Sequence, residues 1–175
     1  MESRAKLFGH AVHPIMIVFP LGLLATAVIF DLIWFATGSA RWAEVSFWMI
    51  AAGLVGGVVA AVFGLIDYVA IPAGTRAKAI GMWHGVGNVL VMVLFFFSWF
   101  LRRPNPGNPG LTPIVIALLA AGVALLTGWL GGELVERLGV GVDDGAHLNS
   151  PNSLSGRPAA EDELRGEQGH GVRAT

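Results

Sequence analysis

Residues 11–35 read AVHPIMIVFPLGLLATAVIFDLIWF, an apolar run interrupted by one histidine and one acid. At ~1.5 Å of rise per residue it exceeds the ~20 residues that carry a helix across ~30 Å of hydrocarbon. Lipid tails offer no partner to a bare backbone, so a run of this length has to be helical. Three further blocks of the same kind follow at about 45–71, 79–101 and 111–135. The short alternating segments of a β-barrel do not occur. The sequence predicts an all-α fold, an integral membrane four-helix up-and-down bundle within residues 1–142, followed by a disordered polar tail over 143–175.

Composition supports a bilayer as the solvent. Only 13% of the 175 residues are charged, against roughly 25% in soluble domains, and the charges lie almost entirely between the apolar blocks or after the last one. Arg4 and Lys6 precede the first block as in a signal peptide, but the block is too long for that and no small-residue cleavage site closes it, so it reads as a retained span. The formal net charge of −1 gives no footing for nucleic acid. The absence of cysteine excludes disulfides, thiolate-bound zinc, covalently attached haem and cysteine-ligated iron–sulfur clusters within the chain. The connections at 36–44, 72–78 and 102–110 are short and rich in Gly and Pro, which suits neighbouring antiparallel helices. Gly53 and Gly57, Gly81 and Gly85, and Gly128 and Gly132 are spaced for close helix packing.

Even-numbered threading places the N-terminus, the second connection and the tail on one side. His10 and His13 open span one on that side, Asp67 nears the end of span two, His84 lies just inside span three, and Glu133 closes span four. Ionisable side chains at membrane depth cost about 2.5–3.5 kcal/mol at a span centre, so they pair, face the bundle interior or line a site. Imidazole suits Zn, Cu, Fe and Ni, with a carboxylate as outer support. The candidate metal ligands are therefore His10, His13, His84, Asp67 and Glu133. A b-type haem would take His84 with His13 or His10, and Gly81 and Gly85 beside His84 would clear space for a flat cofactor. His147 and His170 fall in the tail, so one haem is the limit. His10 and His13 share a face if the helix includes both, which Pro14 makes conditional. Asn88, one turn from His84, adds polar support. Asp31 lies five turns beyond His13, about 27 Å away, where Arg41, Arg102 or Arg103 would pair with it.

Two other readings share these residues: an interhelical hydrogen-bond network in a structural or partner-anchoring subunit, and a proton or small-ion path. Only Asn88 continues the polar layer inward, and no span has the broken midpoint of a transporter. No nucleophile–base pair, phosphate loop or dinucleotide motif stands out, and no enzyme class is assigned.

Gly9-His10-Ala11-Val12-His13-Pro14, Phe19-Pro20-Leu21-Gly22 and Asp31, Gly64-Leu65-Ile66-Asp67, His84, and Thr127-Gly128-Trp129-Leu130-Gly131-Gly132-Glu133-Leu134-Val135 together resemble the bacterial family known as domain of unknown function 2231. The resemblance covers about residues 7–142. It implies a four-span bacterial membrane protein, with relatives joined to Rieske-type iron–sulfur modules. This chain carries no such module, so an electron-transfer role would need a separate redox partner. Five Lys and Arg flank the spans on the N-terminal side (Arg4, Lys6, Arg76, Lys78, Arg137) and three on the other (Arg41, Arg102, Arg103). The positive-inside rule then expects an inner-membrane protein with cytoplasmic termini, free to form homo-oligomers.

Overall fold

The computed structural model describes residues 1–161. Four long helices, α1 (Val12–Thr37), α2 (Ala40–Ala70), α3 (Arg76–Arg102) and α4 (Leu111–Gly132), dominate it. All four are long and apolar enough to cross a membrane, α4 together with the π-helical turn Glu133–Arg137 that continues it. The helices overrun the apolar blocks, α2 beginning at Ala40 and taking in Arg41 and Glu44. Charged side chains at span ends reach water while their backbone keeps its helical hydrogen bonds. Pro14 falls in the first turn of α1, where its missing N–H would have been unpaired anyway. Gly38, at φ 68°, supplies the left-handed residue that ends α1.

Before α1, two short antiparallel strands, β1 (Lys6–Leu7) and β2 (His10–Ala11), form a hairpin. Its two-residue turn, Phe8-Gly9, has φ of 51° and 82°, the double left-handed turn that matches strand twist. Lys6 bonds both Glu2 and Asp143, and the N-terminal amine bonds the Gly139 carbonyl. These contacts hold the chain's start against the segment after α4. Residues 143–161 contain no buried residue and only a short 3₁₀ turn, Ser153–Ser155. The remainder of the expected tail, 162–175, lies outside the described residues.

α1 packs chiefly on α2 and α3 on α4, and contacts of α2 with α3 and of α1 with α4 close the ring. The shared core is Leu24, Ala27, Ile50, Val91, Phe95, Ala117 and Ala120. Gly53 lies against Leu24, Gly56 against Phe19 and Gly57 against Met92; a side chain at any of them would push helices apart. Gly128 and Gly132 have no such neighbour, so that expected packing pair is not used within the bundle. Val18, Leu65, Leu125 and Trp129 point outward, each more than half exposed, as lipid-facing residues do.

The most polar part of the interior lies at the end away from the N-terminus. Asp31 and Arg102 are both fully buried. The guanidinium meets the carboxylate in a bidentate pair at 2.5 and 2.7 Å. Its remaining N–H groups reach Ser46 Oγ at 3.0 Å and Ser98 Oγ at 3.1 Å, and Ser98 Oγ donates to the Pro113 carbonyl at 2.7 Å. Asp31 comes from α1, Ser46 from α2, Arg102 and Ser98 from α3, and Pro113 from α4. Of the three arginines expected as partners for Asp31, Arg102 takes the role, and the pair is interior rather than a helix-end contact at the surface.

Asp31→Ala leaves the Arg102 charge buried and alone, and should cost about 3–5 kcal/mol. The double variant Asp31→Leu, Arg102→Met should recover most of that loss in thermal unfolding in detergent. Because the chain has no cysteine, Glu2→Cys, Ala73→Cys and Asn108→Cys offer single labels; residues 2 and 73 should react from one side of sealed membranes and residue 108 from the other.

Candidate functional site

Asp67 sits one turn before the end of α2, and its carboxylate is fully engaged. It accepts from Ser3 Oγ at 2.8 and 2.9 Å, from the Arg4 N–H at 2.8 Å and from the Ala5 N–H at 3.4 Å. Ser3 is buried as a result. Asp67 thus anchors the first residues of the chain to the bundle, rather than supporting a histidine. Glu133, at the end of α4, pairs with Arg76 at 2.5 Å, and Arg76 is 62% exposed. That contact ties α4 to the start of α3 at the water boundary.

His10 stands on strand β2, exposed, with Ser153 Oγ at 3.4 Å from its Nε2. The helix begins only at Val12, so the helical face expected to be common to His10 and His13 does not form. His13 does lie in the first turn of α1, and its Nδ1 is 2.9 Å from the Ala60 carbonyl of α2. His84 repeats the arrangement between the other two helices, with Nδ1 2.8 Å from the Thr127 carbonyl of α4.

A carbonyl oxygen can only accept, so both Nδ1 atoms carry a proton, and in the neutral ring it is Nε2 that keeps the lone pair. Each ring rests on a glycine one turn past its acceptor. A Cβ at Gly64 would meet His13 Cε1 at 2.8 Å, and one at Gly131 would meet His84 Cε1 at 3.0 Å. These glycines, rather than Gly81 and Gly85, make room for imidazole: Gly81 packs on Tyr68 and Ile71, and Gly85 faces open space. Asn88 donates to the His84 carbonyl at 2.9 Å and accepts from Thr127 Oγ1 at 3.2 Å, while its Nδ2 stands 3.2 Å from His84 Nε2.

Among the described residues, no three His, Asp or Glu side chains form a group able to hold a metal ion. The five residues expected in one layer share an end of the bundle but divide among separate partners: Asp67 with the N-terminal strap, Glu133 with Arg76, His10 with Ser153, and the two inner histidines with backbone carbonyls. Sequence reading missed Ser3, Thr127, Gly64 and Gly131. The last two stand in the quoted motifs and were legible as glycines facing a large ring only once helix pairing was known.

The second strand of the hairpin, all four helices and the start of the tail fall within a single match, residues 9–144, to a family model described as a predicted membrane protein, DUF2231. The chain belongs to the DUF2231 family. No curated protein and no solved structure matches it. In this DUF2231 chain the motif residues quoted from the sequence are those that meet at the two helix pairs: His13 on Gly64, and His84 on Gly131.

Outside the spans, the Lys6 hydrogen bond holds the Glu2 carboxyl below its usual range. A depressed acid stabilises at pH above its unfolded value, and the contribution disappears as pH falls through the folded one. The strap should therefore loosen first on acidification, seen as faster amide exchange in residues 2–7. Asp67→Ala should free the Arg4 and Ala5 amides even at neutral pH, with a loss of about 1–3 kcal/mol for the unpaired groups.

Proposed function

We propose that this DUF2231 chain is a membrane-embedded cofactor-handling protein in which His13 and His84 ligate a transition metal or b-type haem in a redox role. The observation that supports this is the orientation of the two rings. Each imidazole gives its Nδ1 proton to a backbone carbonyl, the arrangement that fixes the tautomer and raises the basicity of Nε2 in metal-ligating histidines. His10, Asp67 and Glu133 then act at the rim and in anchoring. With no cysteine for a cluster of its own, the chain would exchange electrons with a separate Rieske-type or other redox protein. The excess of basic residues beside the N-terminal ends favours a bacterial inner-membrane location with cytoplasmic termini.

One observation favours a structural reading instead. The Nδ1 bonds already join α1 to α2 and α3 to α4, and the Asn88 amide stands against His84 Nε2. Such a network is complete without a ligand, as in a subunit that only anchors partners.

The protein purified in detergent should show a Soret band or stoichiometric metal, and His84→Ala should lose it while still eluting as a folded species. A wild-type protein with neither signal leaves the structural reading in its place.

A further inference from the structure

The two helical hairpins repeat one pattern of inward-facing positions. A shift of 71 residues carries His13 onto His84 and Asp31 onto Arg102. It also carries the other buried residues of α1, Pro20, Leu24 and Ala27, onto Val91, Phe95 and Ser98, which are all buried. A shift of 67 residues places each of the five buried residues of α4 on a buried residue of α2. That same shift carries the acceptor Ala60 onto Thr127 and the contact glycine Gly64 onto Gly131. Identical side chains are few; what repeats is which positions face inward and how each histidine is held.

Hairpins of two spans thread in the same sense, so the relation between them is a pseudo-two-fold axis along the bundle, as in parallel membrane repeats. Asp31 and Arg102 are equivalent positions in contact at one end, and they mark where that axis runs. His13 and His84 flank the same axis five turns away, about 27 Å along it.

We infer that the histidine site lies on this axis and is a single bis-imidazole site for a b-type iron porphyrin, one per chain, with one axial ligand from each hairpin. The inference rests on the histidine ligation proposed above and selects among its ligands. Only imidazole is supplied twice: Asp67 falls on Leu134 and Glu133 falls on Ile66. A metal ion with mixed carboxylate ligands therefore has no matched donors, whereas an iron porphyrin takes two equivalent axial imidazoles and nothing else from the chain. The absence of cysteine limits the group to non-covalent attachment. Asn88 breaks the symmetry, since its counterpart is Ile17, and its amide retains the His84 carbonyl as partner when Nε2 is taken by a ligand.

The test is a hemin titration of the full chain in detergent, read by visible and electron paramagnetic resonance spectra. An end point of one hemin per chain with a low-spin, bis-imidazole signature is expected. His13→Ala and His84→Ala should each convert it to high spin and weaken binding by a similar factor, about tenfold or more. His13→Met and His84→Met keep a bulky side chain, and each should give a distinct mixed-ligand spectrum if alanine impairs folding. Two hemins per chain, or sensitivity to one histidine alone, would overturn the shared axial site. Stoichiometric metal lost on histidine substitution, without hemin binding, would overturn it while leaving ligation standing; no binding of either kind would remove both.

Discussion

A buried guanidinium has to be satisfied completely or it unfolds what surrounds it. Arg102 sets that requirement for this bundle, because its charge lies at the end of α3 with no exposure and with partners on every other helix or on its own. The carboxylate of Asp31 neutralises it, two serines take the remaining N–H groups, and Ser98 passes a hydrogen bond on to the Pro113 carbonyl. Desolvating such a pair offsets much of its attraction, so its contribution lies in specificity of assembly. Only one relative placement of four spans brings all of these groups together. Apolar helices in lipid, where any face can meet tails at little cost, need such a constraint more than soluble ones do.

The opposite end is governed by smaller and separate contacts. Asp67 draws the N-terminal residues onto the bundle, Glu133 and Arg76 join the later helices, and the inner histidines each bridge one helix pair. Shared depth had suggested convergence. The partners that separate these residues were hidden from a linear reading: Ser3 and the Arg4 and Ala5 amides precede the first apolar block, and the acceptors of His13 and His84 are backbone carbonyls, which no residue type announces.

The four spans, their up-and-down order and the family were legible because long apolar blocks and short Gly- and Pro-rich connections leave lipid few alternatives. The pairing of Asp31 was narrowed to three arginines but not decided, since Arg102 and Arg103 differ by about 100° around a helix and the sequence does not show which face turns inward. The duplicated plan went unseen for a related reason. Leu24 against Phe95, or Ala27 against Ser98, is a poor match of letters and a close match of position. The equal interval of 18 residues from His13 to Asp31 and from His84 to Arg102 was a trace of it in the text of the chain.

The charges at these equivalent positions are opposite, and that bears on which halves can associate. Two first hairpins brought together in the same way would set carboxylate against carboxylate, and two second hairpins guanidinium against guanidinium, with no water to screen either pair. Only the unlike combination is neutral. A first hairpin is thereby matched to a second one and never to its own kind, so like halves of neighbouring chains have no reason to associate during insertion.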